Sequence, residues 1–327
     1  MKTFHAPAAL LAGSLLLAAP AAQTYAQAQY PTGPIKIVCA FPAGGGTDLT
    51  SRLLADQLQK ILGQQVVVEN RTGASGMIGT GFVAKGPKDG YTLLVNSGEV
   101  ALNPHLYKEK MAYDWDRELQ PITRLVKVPN VMAVNMEIPA NSVGALIAYA
   151  KANPDKLSYS SSGIGNPQQL TGEMFNKMAG IKIQHVPYKG AAPQLAALAG
   201  NHVSMTIVSI GAARPFFDAK KIRPIGVTST TRVAVLPDVP AIAETLPGFE
   251  LVNFFGFQAP AGISEPILKT LNTAAVQALN APDMAAKLRA SGFEPSPTTP
   301  EEFRQFIRGE SAKFAKIIVD AGIKLEN

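Results

Sequence analysis

Phe41-Pro-Ala-Gly-Gly-Gly-Thr-Asp48 is the stretch on which the reading of this chain turns. It follows a β-rich run, Ile35–Phe41, and precedes Leu49, Leu53, Leu54, Leu58 and Ile61 at helical spacing, with Gly63 as a stop signal. A strand, a glycine loop and a helix in that order make one βα unit. Three glycines open backbone conformations closed to other residues and let a ligand approach the main chain closely. Thr47 or Asp48 is suited to cap the helix. N–H groups would then gather at the positive end of a helix dipole, which suits an anion; a tight turn alone is the competing reading. Two nucleotide motifs fail on specific residues. A P-loop ends in Gly-Lys-Ser/Thr, whereas Asp48 follows Thr47; a dinucleotide loop needs glycine three places beyond Gly46, and Leu49 stands there.

The same alternation continues outward. Further β-rich runs are Gln65–Glu69, Tyr91–Asn96, Val131–Asn135, Leu157–Ser160, Ile183–Val186, Val203–Val208 and Ile225–Thr228, and Ser142–Asn153 and Gln169–Ala179 read as helices. This predicts an α/β fold with largely parallel sheets. Toward the C-terminus the pattern becomes mostly helical. Thr299-Pro300-Glu301-Glu302 forms a capping box ahead of an apolar stripe, Phe303, Phe306, Ile307, Phe314, Ile317 and Ile318. Crossovers are expected near Thr123–Val128 and Pro247–Val252. They give one domain of residues 29–126 plus 251–327 and a second of 127–250, with a ligand cleft between them.

A second loop of the same kind, Ser160-Ser-Ser-Gly-Ile-Gly-Asn-Pro167, follows a strand in the other expected domain and leads into a helix starting near Gln168. Two such loops could hold one carboxylate from both sides, at about 1.5–3 kcal/mol for each charge-assisted hydrogen bond. Three further segments carry candidate contacts. Val95-Asn-Ser-Gly-Glu99 ends the third strand, where α/β proteins bind ligands, and offers Asn96, Ser97 and Glu99. Glu99 could meet a cationic group, although an ordinary surface acid is the preferred reading. In His185-Val-Pro-Tyr-Lys-Gly190, Tyr188 or the Gly190 backbone is favoured over Lys189, which a solvated surface explains. The glycines of Gly73-Ala-Ser-Gly-Met-Ile-Gly79 are consistent with close packing alone.

Composition narrows the function classes. The chain has 327 residues, 46% of them hydrophobic and 17% charged, against about 25% charged in an average globular protein, so overall disorder is excluded. Its formal charge of +6 is spread without any run of five basic residues, which leaves nucleic-acid binding unsupported. One cysteine, Cys39, excludes an intrachain disulfide and a Cys-rich zinc site; it reads as a buried strand residue. No histidine has metal-ligand spacing, no G-x-S-x-G elbow exists, and no cofactor is expected. Lys2, the apolar run Ala8–Ala19 and Ala26-Gln27-Ala28 read as a secretory signal peptide, residues 1–28, cleaved after Ala28. The run is shorter than the ~20 apolar residues of a membrane span, so a mature protein outside the cytoplasm is expected.

Taken together, the signal peptide, Phe41–Asp48, Val68-Glu-Asn-Arg-Thr-Gly-Ala74, Asp89-Gly-Tyr-Thr-Leu93, Asn103-Pro-His-Leu-Tyr107, Ser161-Ser-Gly-Ile-Gly165, His185–Gly190 and Leu236-Pro-Asp-Val-Pro240 resemble the Bug family. These are the periplasmic solute-binding receptors of tripartite tricarboxylate transporters, and the resemblance runs along essentially the whole mature chain. It implies a two-lobed, type II-like periplasmic-binding-protein fold with a hinge of two crossing strands. It also implies capture of a small carboxylate, or a related small molecule, for a membrane permease. Carried over, the two loops act as pincers through Ala43, Gly44, Gly45, Gly46, Thr47 and Asp48 and through Ser162, Gly163, Gly165 and Asn166. A monomer without nucleic-acid partners is the default.

Four positions depart from the family pattern: Gln169 where His is common, Ser204 where Asp is common, Asn253-Phe-Phe-Gly256 without the usual Trp, and the acid Glu99. No relative's ligand is therefore carried over. A second carboxylate near Glu99 would be repelled, whereas an amine or amide would be tolerated. Two other classes stay open: a receptor presenting its liganded form to a membrane sensor, and a secreted hydrolase, for which no nucleophile or acid/base pair stands out.

Overall fold

The computed structural model describes residues 1–3 and 30–323; the expected leader, residues 1–28, lies outside the described residues apart from its first three. Two sheets divide the chain. The first lobe begins with β1 (Ile35–Cys39), α1 (Gly46–Leu62), β2 (Val66–Asn70), α2 (Met77–Ala84), β3 (Thr92–Ser97), α3 (Glu99–Leu106), α4 (Trp115–Glu118) and the long β4 (Leu119–Val128). The second lobe holds β5 (Asn130–Asn135), α5 (Val143–Ala152), β6 (Ser158–Ser161), α6 (Pro167–Ala179), β7 (Gln184–Pro187), α7 (Ala191–Ala199), β8 (Met205–Ser209), α8 (Ile210–Asp218) and β9 (Ile222–Val227). The chain then returns to the first lobe with β10 (Asn253–Pro260), α9 (Glu265–Asn280), α10 (Pro282–Ala290), β11 (Glu294–Pro295) and α11 (Pro300–Ala321).

The first sheet has the order β11-β4-β10-β3-β1-β2 and the second β7-β6-β8-β5-β9. Each is a three-strand parallel block flanked by antiparallel strands: β2, β1 and β3 run parallel in one, and β7, β6 and β8 in the other. The expectation of largely parallel sheets is corrected here. β10 runs antiparallel to both β3 and β4, and β5 antiparallel to both β8 and β9. The cause is topological. A strand that enters a lobe from the other lobe, rather than through a crossover helix, arrives from the opposite direction.

Strand alternation sends successive side chains to opposite faces of each sheet. Ile35 and Ile37 pack with α1, α9 and α10 on one face, while Val38 packs with α2, α3 and α11 on the other. In the second lobe Met132 and Val134 face α5 and α6, and Val131 and Ala133 face α7 and α8. Cys39 is fully buried at the end of β1. The capping box before α11 is present, Glu302 N donating to Thr299 Oγ1 at 3.2 Å and Thr299 N to Glu302 Oε2 at 2.8 Å. Phe303, Ile307 and Phe314 are buried against the first lobe, with Phe306, Ile317 and Ile318 partly covered beside them.

The lobes are joined where β4 ends. Pro129, which lacks an N–H and so breaks the ladder, separates Val128 in the first sheet from Asn130 in the second. The return segment lies beside it. Thr228 N donates to Asn130 O at 2.9 Å, Leu251 N to Thr228 O at 3.2 Å, and Asn253 pairs with Val128. Away from this joint α6 leans on α11, and Leu170 shares the cluster of Phe303 and Phe314. Phe303, edge-on to Phe254 at 5.9 Å between ring centroids, anchors that contact. Phe303→Ala should therefore cost about 3–5 kcal/mol of stability in urea unfolding; a loss under 1 kcal/mol would contradict this account of the core.

Candidate functional site

A cleft of about 540 Å³ lies between the lobes, a size suited to a small molecule. Its walls are the turns that follow the C-terminal ends of parallel strands, where α/β folds place ligands. Phe41 to Thr47 follows β1, Ser97 ends β3 and Glu99 follows it, Ser162 follows β6, Lys189 to Pro193 follows β7, and Ser209 ends β8. Asn130 and Asn253, beside the interlobe joint, line it as well, with Phe255 and Phe293 as the apolar side. Among the described residues lining it, Glu99 and Lys189 are the charged ones.

Two helices aim unpaired backbone donors at this space. α1 is preceded by Gly45 in extended conformation (φ −80°, ψ 171°), with no side-chain cap. Gly44 N donates to Asp48 Oδ2 at 3.0 Å and Gly45 N to Pro42 O at 3.4 Å. The first-turn N–H groups of Gly46, Thr47 and Asp48 find no acceptor among the described residues. α7 repeats the arrangement from the other lobe: Gly190 (φ 105°) precedes it without a side-chain cap, and the N–H groups of Ala191 and Ala192 find no acceptor among the described residues. Helix N-termini of this kind attract negative charge.

The loop Ser160–Pro167 behaves differently. Ser162 N donates to Gln168 Oε1 at 2.8 Å, Gly165 N to Gln169 Oε1 at 2.7 Å, and Gly163 N to Ser161 Oγ at 3.3 Å. Asn166 caps α6 by accepting from Gln169 N at 2.9 Å and donates through Nδ2 to Ser162 Oγ at 2.9 Å. This loop has used the amides of Ser162, Gly163 and Gly165. What it offers the cleft is the Ser162 hydroxyl and the Asn166 and Gln168 side chains.

Residues 50–323 match the family model described as the tripartite tricarboxylate transporter family receptor. The chain belongs to this receptor family. It is 34% identical over 299 residues to protein BugT of Bordetella pertussis, covering 91% of this chain and 92% of that one. Among solved structures, R. palustris Rpa4515 with adipate is 37% identical with a TM-score of 0.83, covering 90% of this chain and 99% of that chain. MatC from Rhodopseudomonas palustris with bound malate is 28% identical with a TM-score of 0.75, covering 88% and 100%. The two-lobed periplasmic-binding-protein fold and the interlobe cleft are those of this receptor family.

The receptor's cleft gathers Ala43, Gly44, Gly45, Gly46, Thr47, Ser97, Glu99, Ser162, Asn166 and Gly190 out of the residues singled out by sequence. It does not gather Asp48, Asn96, Gly163, Gly165 or Tyr188. Neither Thr47 nor Asp48 is the helix cap, a correction with a clear cause. Asp48 sits inside the first turn, where Arg52 Nε (3.0 Å) and Asn70 Nδ2 (2.9 Å) hold its carboxylate. Burial alone would raise its pKa, but hydrogen bonds from Arg52, Gly44 and Asn70 outweigh that and hold the carboxyl below its ordinary value. Asp48 thus braces the loop from behind. Asn96 is buried and donates to Gln258 Oε1 at 2.6 Å. Tyr188 packs on the second lobe's core, leaving Lys189 exposed at the cleft.

Glu99 is not the ordinary surface acid preferred from sequence. Its side chain borders the cleft, and Oε2 is sealed from solvent without a hydrogen-bond partner among the described residues. Burial pushes its pKa up, against opposing hydrogen bonds from Ser97 and its own backbone N–H. Glu99 and Asn253 line the cleft, and Gln169 holds Gly165 beside it. Ser204 instead receives Ser158 N at 3.3 Å, before β8. The free donors of α7 and the side chains of Asn130 and Ser209 escaped the sequence reading. Gly190 directly after a strand was the available signal for α7.

His185 supports the loop after β6 from outside the cleft. Ser161 Oγ donates to Gly163 O at 2.7 Å, so His185 Nε2, 2.6 Å from the same oxygen, is the donor to it. Burial lowers the imidazole pKa to about 4, from about 6.5 in an unfolded chain. The unfolded chain therefore binds more protons between those values, and stability should fall as pH drops from about 6.5 to 4. His185→Gln should flatten that part of the urea-stability profile; equal slopes in both proteins would refute this role.

Proposed function

We propose that this receptor captures a small carboxylate in its interlobe cleft and delivers it to the membrane permease subunits of a tripartite tricarboxylate transporter. The observation that carries the reading is the pair of uncapped helix starts, α1 and α7, facing one cleft from opposite lobes. A carboxylate is acceptor-only and can take several such N–H groups at once. The relatives solved with adipate and malate support the ligand class.

In this reading Gly46, Thr47, Ala191 and Ala192 supply backbone donors, while Ala43, Gly44, Gly45 and Gly190 let the ligand come close. Ser97, Ser162 and Asn166 add side-chain contacts. Asp48, Asn96, Gly163, Gly165 and Tyr188 act by positioning these groups. The lobes are those expected from sequence, 29–126 plus 251–327 and 127–250, except that residues 127 and 128 stay in the first sheet with β4, and they swing about Pro129 and the Thr228–Leu251 backbone contact. The receptor works in the periplasm after removal of residues 1–28. Binding both lobes to one ligand favours the closed arrangement, because the full set of contacts exists only there.

Ala191→Pro is the sharpest test. Proline suits the first position of a helix and removes one free donor. With adipate, malate and their monoamides as probes, the wild type should show concentration-dependent thermal stabilisation. Ala191→Pro should weaken the best ligand about tenfold or more, and Gly45→Val should abolish the shift, both with near-native unliganded melting temperatures. Unchanged affinity in Ala191→Pro would remove α7 from the site, and absence of any carboxylate response would remove the proposed function.

A further inference from the structure

Glu99 stands out in a cleft built for anions. It opens α3 and faces the same space as the free N–H groups of α1 and α7. No lysine or arginine among the described residues forms an ion pair with it. Its surroundings supply little compensation. Asn253 Oδ1 accepts from Gly98 N at 3.1 Å and Phe254 N at 2.8 Å, which fixes the amide so that Nδ2 donates to Ser97 Oγ at 3.1 Å. The Ser97 hydroxyl proton is shared between Asn253 Oδ1, at 3.3 Å, and the Glu99 carboxylate. One neutral hydroxyl and one backbone N–H are weak replacements for the water that an enclosed carboxylate gives up. Oε2 receives neither.

We propose that Glu99 is a specificity-determining residue that receives a positively charged group of the ligand, so that the cleft selects amino carboxylates over dicarboxylates of equal length. The inference rests on the carboxylate reading above and extends it to the other end of the molecule. The carboxylate lies at the uncapped helix starts, and the ammonium lies at Glu99. A carboxylate whose Oε2 is sealed from solvent and unpartnered among the described residues is stabilised in its ionised form by a ligand that brings a cation, whereas a second carboxylate offers it no such pairing. Selection then comes as much from rejecting the wrong ligand as from holding the right one. The other charged side chain at the cleft, Lys189, lies on the opposite lobe, is exposed, and forms no ion pair with Glu99 among the described residues.

Calorimetry on the full mature protein at one pH, near 7.5, tests this with matched pairs: 6-aminohexanoate and adipate, glutamate and glutarate, 4-aminobutanoate and succinate. Hexanoate serves as the plain-carboxylate control. At least one pair should favour the amino member tenfold or more in the wild type. Glu99→Gln should erase that preference, strengthen the matching dicarboxylate, leave hexanoate within threefold and keep or raise the unliganded melting temperature. Glu99→Met, which removes every polar atom, should act in the same direction. A wild-type preference for the diacid in all three pairs would overturn the inference, as would a preference that survives both substitutions; in either case carboxylate binding itself would stand. Failure of every probe, hexanoate included, would instead overturn the carboxylate reading and this inference with it.

Discussion

Backbone N–H groups left without acceptors at the start of two helices are the constraint around which the rest of this receptor is arranged. A helix start normally recruits a Ser, Thr, Asp or Asn side chain, and the chain does so at α5 through Ser142, at α6 through Asn166 and at α11 through Thr299. At α1 and α7 glycine occupies the capping position instead, and no side chain covers the first turn. A phenyl ring reinforces this at α1: a Cβ on Gly46 would meet Phe293 Cζ at 2.7 Å. The loop is kept in shape from behind by Asp48, Arg52 and Asn70, so the donors face the cleft without being consumed by the scaffold.

Those donors serve one ligand only if the lobes meet, and the topology sets how they can. The connection is two adjacent crossings, at Pro129 and just before Asn253 at Leu251, bound to each other through Thr228 by backbone hydrogen bonds. A pair of short extended crossings flexes at few dihedral angles while keeping both sheets intact. α6 and α11 touch outside the cleft, with Lys177 Nζ 3.1 Å from Asp320 Oδ2 and Leu170 set among the first lobe's aromatic residues. An apolar contact there narrows the range of relative motion, which matters because donors placed an ångström away contribute little.

Much of this was legible in the sequence where the signal is local. The helices α1, α5, α6 and α11 follow from apolar spacing and their caps or stops. The central parallel strands follow from short β-branched runs. β4 and β10 did not show. Pro121 interrupts one and Gly256 the other, and both are held by partners more than a hundred residues away. The loop after β6 reads as a donor cluster because its glycines and serines look like those of the loop after β1. Only the folded chain reveals that Gln168 and Gln169 bend back to take its amides. Tyr188 and Lys189 exchange roles for an equally simple reason: adjacent residues point to opposite sides, and sequence does not say which side is the core.

Glu99 illustrates the limit of reading residues one at a time. At the first position of a helix an acid is favoured by the dipole and needs no further explanation. The fold changes that assessment by placing the start of α3 in the same cleft as the starts of α1 and α7. There the dipole's contribution competes with the cost of partly enclosing a carboxylate that lacks a cationic partner. Burial wins, as the raised pKa of Glu99 indicates. The unliganded cleft thus combines unsatisfied donors with an unsatisfied acid. A ligand that pairs a carboxylate with a separated cation, as proposed for Glu99, would satisfy both.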